Sequence, residues 1–370
     1  RDSWSLYFPE EPARPDIDIL VAGCGTRAGV MMAACMPEAR ITAVDISERS
    51  LSISEKTARQ GGMQNIEHRL LALEDVGDLA RTFDLIHCHG VLHHLADPVA
   101  GLRALASVLK PEGAMSLMVY ARYGRAGVYM LQDLGQELGL PLNEPTAEML
   151  QEMCSLLPDG HPFRSPDKDP QELLPLAEIM DLFMHPRDVS YDVAGVRELV
   201  ESAGMSFHRW IAQGPYAVSC SPYAGSRIGA HLSALPAWER AGAMELLRGT
   251  ITTHDFVVTH RGRATAEELF SGARMLEAIP SQAAHVGLEE QGELVTVFSR
   301  ATLRERPAVT QRKSDLGALF RAFTQERTIG EIIEQEQRDS PNEHLARWVL
   351  ETCRALYEAD LITLRLPSKP

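Results

Sequence analysis

Three residues near the amino terminus have the types and the spacing that bind a nucleoside. Gly23 and Gly25 lie in a turn directly after an apolar run, and Asp45 ends a second apolar run about twenty residues later. Glycine lets a backbone approach a ligand where a Cβ atom would clash. An acidic side chain at this spacing can accept hydrogen bonds from both hydroxyls of a ribose. The combination favours a nucleoside site over a simple turn followed by a helix cap.

A second group of reactive side chains follows later in the same region. His93 and His94 come shortly after Gly90 in the stretch GVLHHLADP, and histidine titrates near neutral pH. Tyr120 and Tyr123 belong to the stretch YARYGR, where aromatic and guanidinium groups could hold an anionic or aromatic substrate. We name these four residues as catalytic candidates. Packing of the histidine pair at a helix start, and solvation of the YARYGR loop, remain the structural alternatives.

Strands and helices alternate regularly through the region that carries these residues. The pattern predicts strands near 17–22, 40–45, 65–71, 83–89 and 114–121, and helices near 27–36, 48–61, 74–81 and 97–109. Two further strands are predicted at 205–212 and 253–261. In doubly wound α/β domains ligands bind at the carboxyl ends of the strands, and the glycine turn after the first strand lies at such an end.

The motifs together resemble the class I (Rossmann-like) S-adenosylmethionine-dependent methyltransferases. The likeness is to a bacterial branch that reads DILVAGCGTG, AVDIS and GVLHHLADP. This chain has DILVAGCGTR at 18–27, AVDIS at 43–47, GVLHHLADP at 90–98 and LKPEG at 109–113. The resemblance is strong over residues 16–121 and looser to about 261. It implies an α/β fold with a doubly wound, mostly parallel seven-stranded sheet that ends in an antiparallel hairpin, and S-adenosyl-L-methionine as cofactor.

The resemblance also implies a role for each cofactor-binding residue. Gly23 and Gly25 would face the methionine portion and Asp45 the ribose. Ile46 and Leu73 would face the adenine, and the backbone near Leu73 and Cys88 would complete the pocket. Methyl transfer does not intrinsically need a metal, and no metal site is predicted.

The chain departs from the family pattern at two positions. Arg27 stands where the family usually has a third glycine. Ala72 stands where an acidic residue usually lies near the adenine amine, with Glu74 and Asp75 just beyond it. These departures bear on the strength of cofactor binding and not on the fold.

The chain divides into three predicted parts. Residues 1–15 hold aromatic residues among prolines and charges, and are interpreted as a surface leader or as a segment folded over the cofactor pocket. Residues 16–263 form the methyltransferase domain, with a helical insertion at about 125–190 that is expected to cover a substrate. Residues 264–370 are predicted to form a small winged-helix-like α+β module, with capping boxes at Thr328 and Ser340.

Composition restricts the partners and the compartment. The formal charge of −15 and the lack of a long basic run disfavour nucleic acid, whose binding depends on neutralising phosphates. Six scattered cysteines indicate a reduced, cytoplasmic protein without a structural zinc site. No apolar run approaches the roughly 20 residues that span a membrane. A homodimer is possible through the carboxyl-terminal module.

Three functions are compatible with these patterns. The first is methyl transfer to an unidentified small molecule held under the helical insertion. The second is methylation of a peptide or protein gripped by the carboxyl-terminal module, an arrangement similar to that of some bacterial protein lysine methyltransferases. The third is a non-catalytic S-adenosylmethionine-binding protein, which Arg27 and Ala72 suggest and which the intact Gly23, Gly25 and Asp45 oppose.

Overall fold

The fold is built on a seven-stranded sheet. The computed structural model describes residues 4–141, 143–164, 176–185, 187–300, 308–339 and 344–367. The strands of the sheet are β1 (Asp18–Ala22), β2 (Arg40–Asp45), β3 (Ile66–Leu70), β4 (Phe83–His89), β5 (Leu109–Tyr120), β6 (Met205–Trp210) and β7 (Thr253–His260). Their order is β3-β2-β1-β4-β5-β7-β6, and β7 pairs antiparallel with both β5 and β6. The predicted fold class and the closing hairpin are confirmed.

Helices cover both faces of the parallel part of the sheet. Central strands such as β1 are buried on both faces, as expected for parallel strands between helix layers. The helices are α2 (Ala28–Cys35), α3 (Glu48–Gln60), α4 (Pro98–Ser107) and α8 (Val193–Ser202), with α9 (Arg227–Ser233) and α10 (Ala237–Arg248) before β7. Local signals set their starts: Ser47 accepts a hydrogen bond from the Ser50 backbone N–H at 3.2 Å, and Asp97 caps α4 in the same way.

One predicted helix takes a different form. The segment predicted as a helix at 74–81 is a 3-10 helix, Leu73–Leu79. It ends at Ala80, whose φ of 48° lies in the left-handed region. A left-handed residue ends a helix because the next N–H can no longer continue the ladder of hydrogen bonds.

The amino-terminal segment is part of the core and not a surface leader. It forms a short helix, α1 (Trp4–Tyr7), and Trp4 and Phe8 are 9% and 1% exposed. Both pack with Ile17 and other residues on one face of the sheet. Arg14 pairs with Asp84 at the start of β4, the end opposite to the predicted ligand edge. The surface-leader prediction was therefore wrong, because the aromatic side chains find an apolar sheet face that they can cover.

The insertion after β5 is helical, as predicted. It contains α5 (Ala126–Glu137), α6 (Glu144–Leu156) and α7 (Leu176–Met184). Ala147, Leu150 and Ile179 form a small hydrophobic core of its own. Residues 165–175 of the insertion lie outside the described residues.

The carboxyl-terminal module mixes helices with short antiparallel sheets. Its elements are α11 (Ala266–Leu269), β8 (Ile279–Gln282), β9 (Val286–Gln291), β10 (Leu294–Ser299), β11 (Ala308–Arg312), α12 (Lys313–Ala322), α13 (Ile329–Asp339), α14 (Leu345–Glu358) and β12 (Ile362–Arg365). The hairpin β9–β10 precedes the helices, and β12 pairs back with β8. After α11, strands β8–β11 are followed by helices α12–α14 and then by β12, and the sequence analysis did not identify β8, β9 or β11.

The capping prediction at Thr328 is confirmed: its hydroxyl accepts from the Glu331 N–H, and the Glu331 carboxylate accepts from the Thr328 N–H. The second predicted capping box, at Ser340, lies outside the described residues. In the described ranges, no helix combines the length and the apolarity needed to cross a bilayer.

A buried ion pair joins the module to the sheet. Arg209 of β6 lies 3.1 Å from the Asp360 carboxylate and donates to the Tyr357 hydroxyl at 3.2 Å. The other Asp360 oxygen accepts from the backbone N–H of Gln213 at 2.6 Å. Burial raises the pKa of Asp360 to about 6, against the opposing effect of Arg209. The module therefore packs on the domain that contains the seven-stranded sheet.

Replacing Phe8 tests whether the amino-terminal segment stabilises the domain. We expect Phe8→Ala to lower the free energy of unfolding by about 3–5 kcal/mol, because it leaves a cavity under a fully buried ring. Met31→Ala is the matched control: Met31 is 58% exposed, so its loss should cost less than about 0.5 kcal/mol. Urea denaturation of both variants measures the difference. Equal stabilities would show that the segment is a dispensable leader.

Candidate active site

The glycine turn after β1 uses its two glycines for different reasons. Gly23 and Gly25 have φ angles of 68° and 53°, in the left-handed region where a side chain is strained. A Cβ atom at Gly23 would lie 2.2 Å from Cγ2 of Val91, whereas one at Gly25 would meet nothing within 4 Å. Gly23 is thus needed for close packing against the segment after β4. Gly25 leaves open space beside the turn, where a ligand can lie.

The Asp45 carboxylate is fixed by the backbone on both sides. One oxygen accepts from the Gly25 N–H at 2.8 Å and the other from the Ser47 N–H at 2.8 Å. A carboxylate can accept about four hydrogen bonds, so acceptor capacity remains for further donors. The side chain is only partly buried. This arrangement places a rigid anionic acceptor at the carboxyl ends of β1 and β2.

The predicted adenine-binding residues fall into two groups. Ile46 is 77% exposed, so its side chain can lie against a planar ligand. Leu73 is 4% exposed and packs in the hydrophobic core, so the prediction that its side chain faces adenine is corrected to a backbone contact at most. Cys88 is fully buried, and burial raises the pKa of its thiol to about 12. A residue buried in this way can contribute to the cofactor pocket only through its backbone, which is the contribution that the sequence predicts for Cys88.

The two departures from the family motif have simple local structures. Arg27 is exposed at the start of α2 with a φ of −134°, a conformation that does not require glycine. Ala72 is extended and precedes the 3-10 helix, while Glu74 and Asp75 are exposed in its first turn. The fold tolerates both substitutions without backbone strain.

The histidine pair lies in a 3-10 turn, Leu92–His94, directly after β4. His93 is fully buried, and its desolvation, followed by the charges of His94, Arg125 and His185, lowers its pKa to about 3. A group that so strongly resists protonation is a poor general base at neutral pH. The prediction of a catalytic role for His93 through proton transfer is therefore corrected.

His94 is more accessible and has a defined orientation. Its Nδ1 lies 2.6 Å from the Arg187 carbonyl oxygen, and in a neutral ring this nitrogen must carry the proton that it donates. The lone pair of the ring is then on Nε2. His94 can use that lone pair to accept a proton or to bind an ion.

The two tyrosines have different surroundings. Tyr120 is 9% exposed, and its ring lies between the His93 ring, 3.9 Å away, and the Arg125 guanidinium, whose Cζ is 3.5 Å from the ring centroid. This is a cation–π contact in a buried setting. Tyr123 is 36% exposed and lies in the loop between β5 and α5. The structure brings Tyr120, and not Tyr123, into contact with the histidine pair.

The end of the insertion completes this part of the site. The Val189 N–H donates to the His93 carbonyl at 3.0 Å, and the Tyr191 N–H donates to the Tyr120 carbonyl at 2.9 Å. Asp188 forms a buried ion pair with Arg125 at 3.4 Å. We call the set of His93, His94, Tyr120, Arg125 and Asp188 the edge cluster.

Sequence reasoning did not identify Asp188. It lies in the loop HPRDVSY and carries no motif, so only its contacts reveal it. The ring of the neighbouring His185 lies 3.7 Å from the His94 ring, centroid to centroid, and the two ring planes are tilted by 34°.

Comparison with known proteins agrees with this geometry. Residues 20–115 match the family model described as a methyltransferase domain. An uncharacterized protein from Synechococcus sp. is 32% identical over 278 residues, which are 69% of this chain and 64% of that protein. A protein named ubiquinone biosynthesis O-methyltransferase, from Idiomarina loihiensis, is 36% identical over 98 residues, 26% of this chain and 39% of its own length. The chain thus spans less than two thirds of the length of each of these relatives.

A solved structure has a similar fold over nearly the whole chain. PKMT2 from Rickettsia typhi superposes with a TM-score of 0.67 at 12% identity, covering 99% of this chain and 74% of that chain. The same protein in complex with AdoHcy gives a TM-score of 0.66 at 13% identity. At such identity the likeness shows the fold, and it extends over the carboxyl-terminal module.

Fold, sequence motifs and family match converge on one class. The chain contains a class I S-adenosylmethionine-dependent methyltransferase domain, and the family model covers residues 20–115 of it. S-adenosylmethionine is the cofactor of this class.

The two glycines of the turn give a matched pair of variants. Either glycine replaced by alanine should cost about 1–2 kcal/mol for the left-handed conformation. Gly23→Ala should cost about 1–3 kcal/mol more, because its Cβ overlaps the Val91 side chain. Chemical denaturation measures both costs. If Gly25→Ala proves the less stable variant, the assignment of packing to Gly23 and ligand space to Gly25 is wrong.

Proposed function

We propose that this protein transfers the methyl group of S-adenosylmethionine to a small-molecule acceptor at the edge cluster. The observation that carries the proposal is the Asp45 carboxylate, held by the Gly25 and Ser47 backbone at the carboxyl end of β2. A carboxylate fixed in this way can accept the two hydroxyls of a ribose without reorganising. Asp45 and the open space at Gly25 together supply the polar and the steric requirements of a nucleoside.

The donor and acceptor regions are adjacent in the chain's own contacts. Val91 packs against Gly23, and His93 and His94 follow within three residues. Bound S-adenosylmethionine would supply an electrophilic methyl group on its sulfonium. The protein's contribution is to hold donor and acceptor in line, which can lower the barrier of such a displacement by about 7–11 kcal/mol.

The insertion favours a small acceptor over a polypeptide. Its terminal segment hydrogen-bonds to the backbone of His93 and Tyr120, so the chain itself closes over the edge cluster. His93 and Tyr120 are consequently 0% and 9% exposed. An edge covered in this way suits a compact molecule that enters beside His94 better than an extended peptide.

Calorimetric titration with S-adenosylhomocysteine tests the cofactor site. Asp45→Ala should weaken binding by about 1–3 kcal/mol, because the ribose hydroxyls lose the carboxylate that accepts their hydrogen bonds. Asp18→Ala is the control. Asp18 also lies in a strand, but its carboxylate pairs with Arg40 and Lys110 at the opposite end of the sheet. The affinity of this variant for S-adenosylhomocysteine should therefore not change. Thermal melts of both variants confirm that they remain folded. No binding by the unmodified protein would refute the proposal.

The acceptor class can be tested with radiolabelled S-adenosylmethionine. The protein is incubated with an extract divided by dialysis into small molecules and macromolecules. We expect label in the small-molecule fraction only. His94→Ala should lower this transfer by about 10²–10⁴-fold, the usual contribution of a positioned histidine at the reacting group. Label found only in the macromolecular fraction would contradict the proposal and indicate a polypeptide acceptor.

A further inference from the structure

Three potential metal ligands converge within the edge cluster. One ligand atom each from His93, His94 and Asp188 lies within 4.8 Å of the other two. The histidines come from the turn after β4, and Asp188 comes from the far end of the insertion. Tertiary folding therefore brings two imidazoles and one carboxylate to one point at the carboxyl edge of the sheet.

Three buried polar atoms at this point lack a hydrogen-bond partner among the described residues. Neither ring nitrogen of His93, nor Oδ1 of Asp188, has a hydrogen-bond partner within the part of the chain that the structure describes. His93 is fully buried, and the Asp188 side chain is 3% exposed. Buried polar atoms in folded proteins are nearly always paired with protein, water or an ion. Two such side chains directed into the same cluster indicate that a partner belongs there.

Outer contacts orient these side chains as they would orient ligands. The second oxygen of Asp188 lies 3.4 Å from Arg125 and accepts from the Gln132 amide at 2.9 Å. His94 donates from Nδ1 to the Arg187 carbonyl. Metal-binding histidines typically donate their other ring N–H to a carbonyl or carboxylate, and metal-binding carboxylates are typically hydrogen-bonded as well.

We propose that His93, His94 and Asp188 bind a divalent first-row transition-metal ion. Two imidazole nitrogens and one carboxylate oxygen are a donor set that Zn²⁺ and its neighbours prefer, and three protein ligands leave an open coordination position. Mg²⁺ and Ca²⁺ prefer oxygen ligands, and the single carboxylate here is already paired with Arg125. The site should therefore discriminate strongly against Mg²⁺.

The proposal rests on the geometry of the edge cluster and does not require the proposed methyl transfer. It also gives the cluster a role that the sequence did not indicate, since Asp188 is remote from the histidine pair in the chain. If both proposals hold, His94→Ala should impair Zn²⁺ binding and methyl transfer together.

Calorimetric titration of the full, untagged chain with ZnCl₂ tests the site directly. We expect one Zn²⁺ per chain and no binding of Mg²⁺ under the same conditions. His94→Ala removes a ligand from a partly exposed position, so the protein should fold and fail to bind Zn²⁺. His185→Ala is the matched control, since this histidine contacts the His94 ring but is not one of the three ligands, and the variant should bind Zn²⁺ normally.

Co²⁺ spectroscopy and a variant of Gln132 test the metal site in two further ways. Co²⁺ added to the unmodified chain should give visible absorption bands of a nitrogen-coordinated site, and Zn²⁺ should abolish them. Gln132→Ala frees one Asp188 oxygen from its amide contact and should weaken Zn²⁺ binding by about 10-fold. An unmodified chain that binds no Zn²⁺, or a His94→Ala variant that binds it unchanged, would overturn the assignment.

Discussion

The site depends on the contact between Gly23 and Val91, where the turn after β1 touches the segment after β4. Only a residue without a side chain permits this approach, because a Cβ at Gly23 would overlap Val91. The contact joins the two halves of the site. It sets the glycine turn and Asp45 on one side and the histidine turn on the other. The glycine turn and the histidine turn are neighbours for this reason.

The remaining parts of the chain support this edge from outside the parallel sheet. The insertion returns to hydrogen-bond with the backbone of His93 and Tyr120, which buries the edge cluster. The amino-terminal segment covers a sheet face, and its Pro9 carbonyl accepts a hydrogen bond from Leu366 near the other end of the described chain. The carboxyl-terminal module is held to β6 by the Arg209–Asp360 pair. These contacts hold the two domains together.

The balance of charge and burial determines which site residues can do chemistry. Burial makes His93 and Cys88 unsuitable for proton transfer, since it lowers the pKa of the imidazole to about 3 and raises that of the thiol to about 12. Asp45 and Ile46 are kept at least partly exposed and remain available to a ligand. Residue type alone does not distinguish these cases, because the same side chain is reactive or inert according to its solvation.

The sequence by itself determined the sheet, the cofactor motif and the helix starts. These features depend on local periodicity, on glycines in left-handed turns and on capping side chains such as Ser47 and Thr328. Only the tertiary structure decided that Phe8 is core, that Leu73 is not an adenine face, and that Asp188 joins the histidine pair. Those outcomes depend on contacts between segments distant in the chain, and such contacts leave no periodic or local signal in the residues that make them.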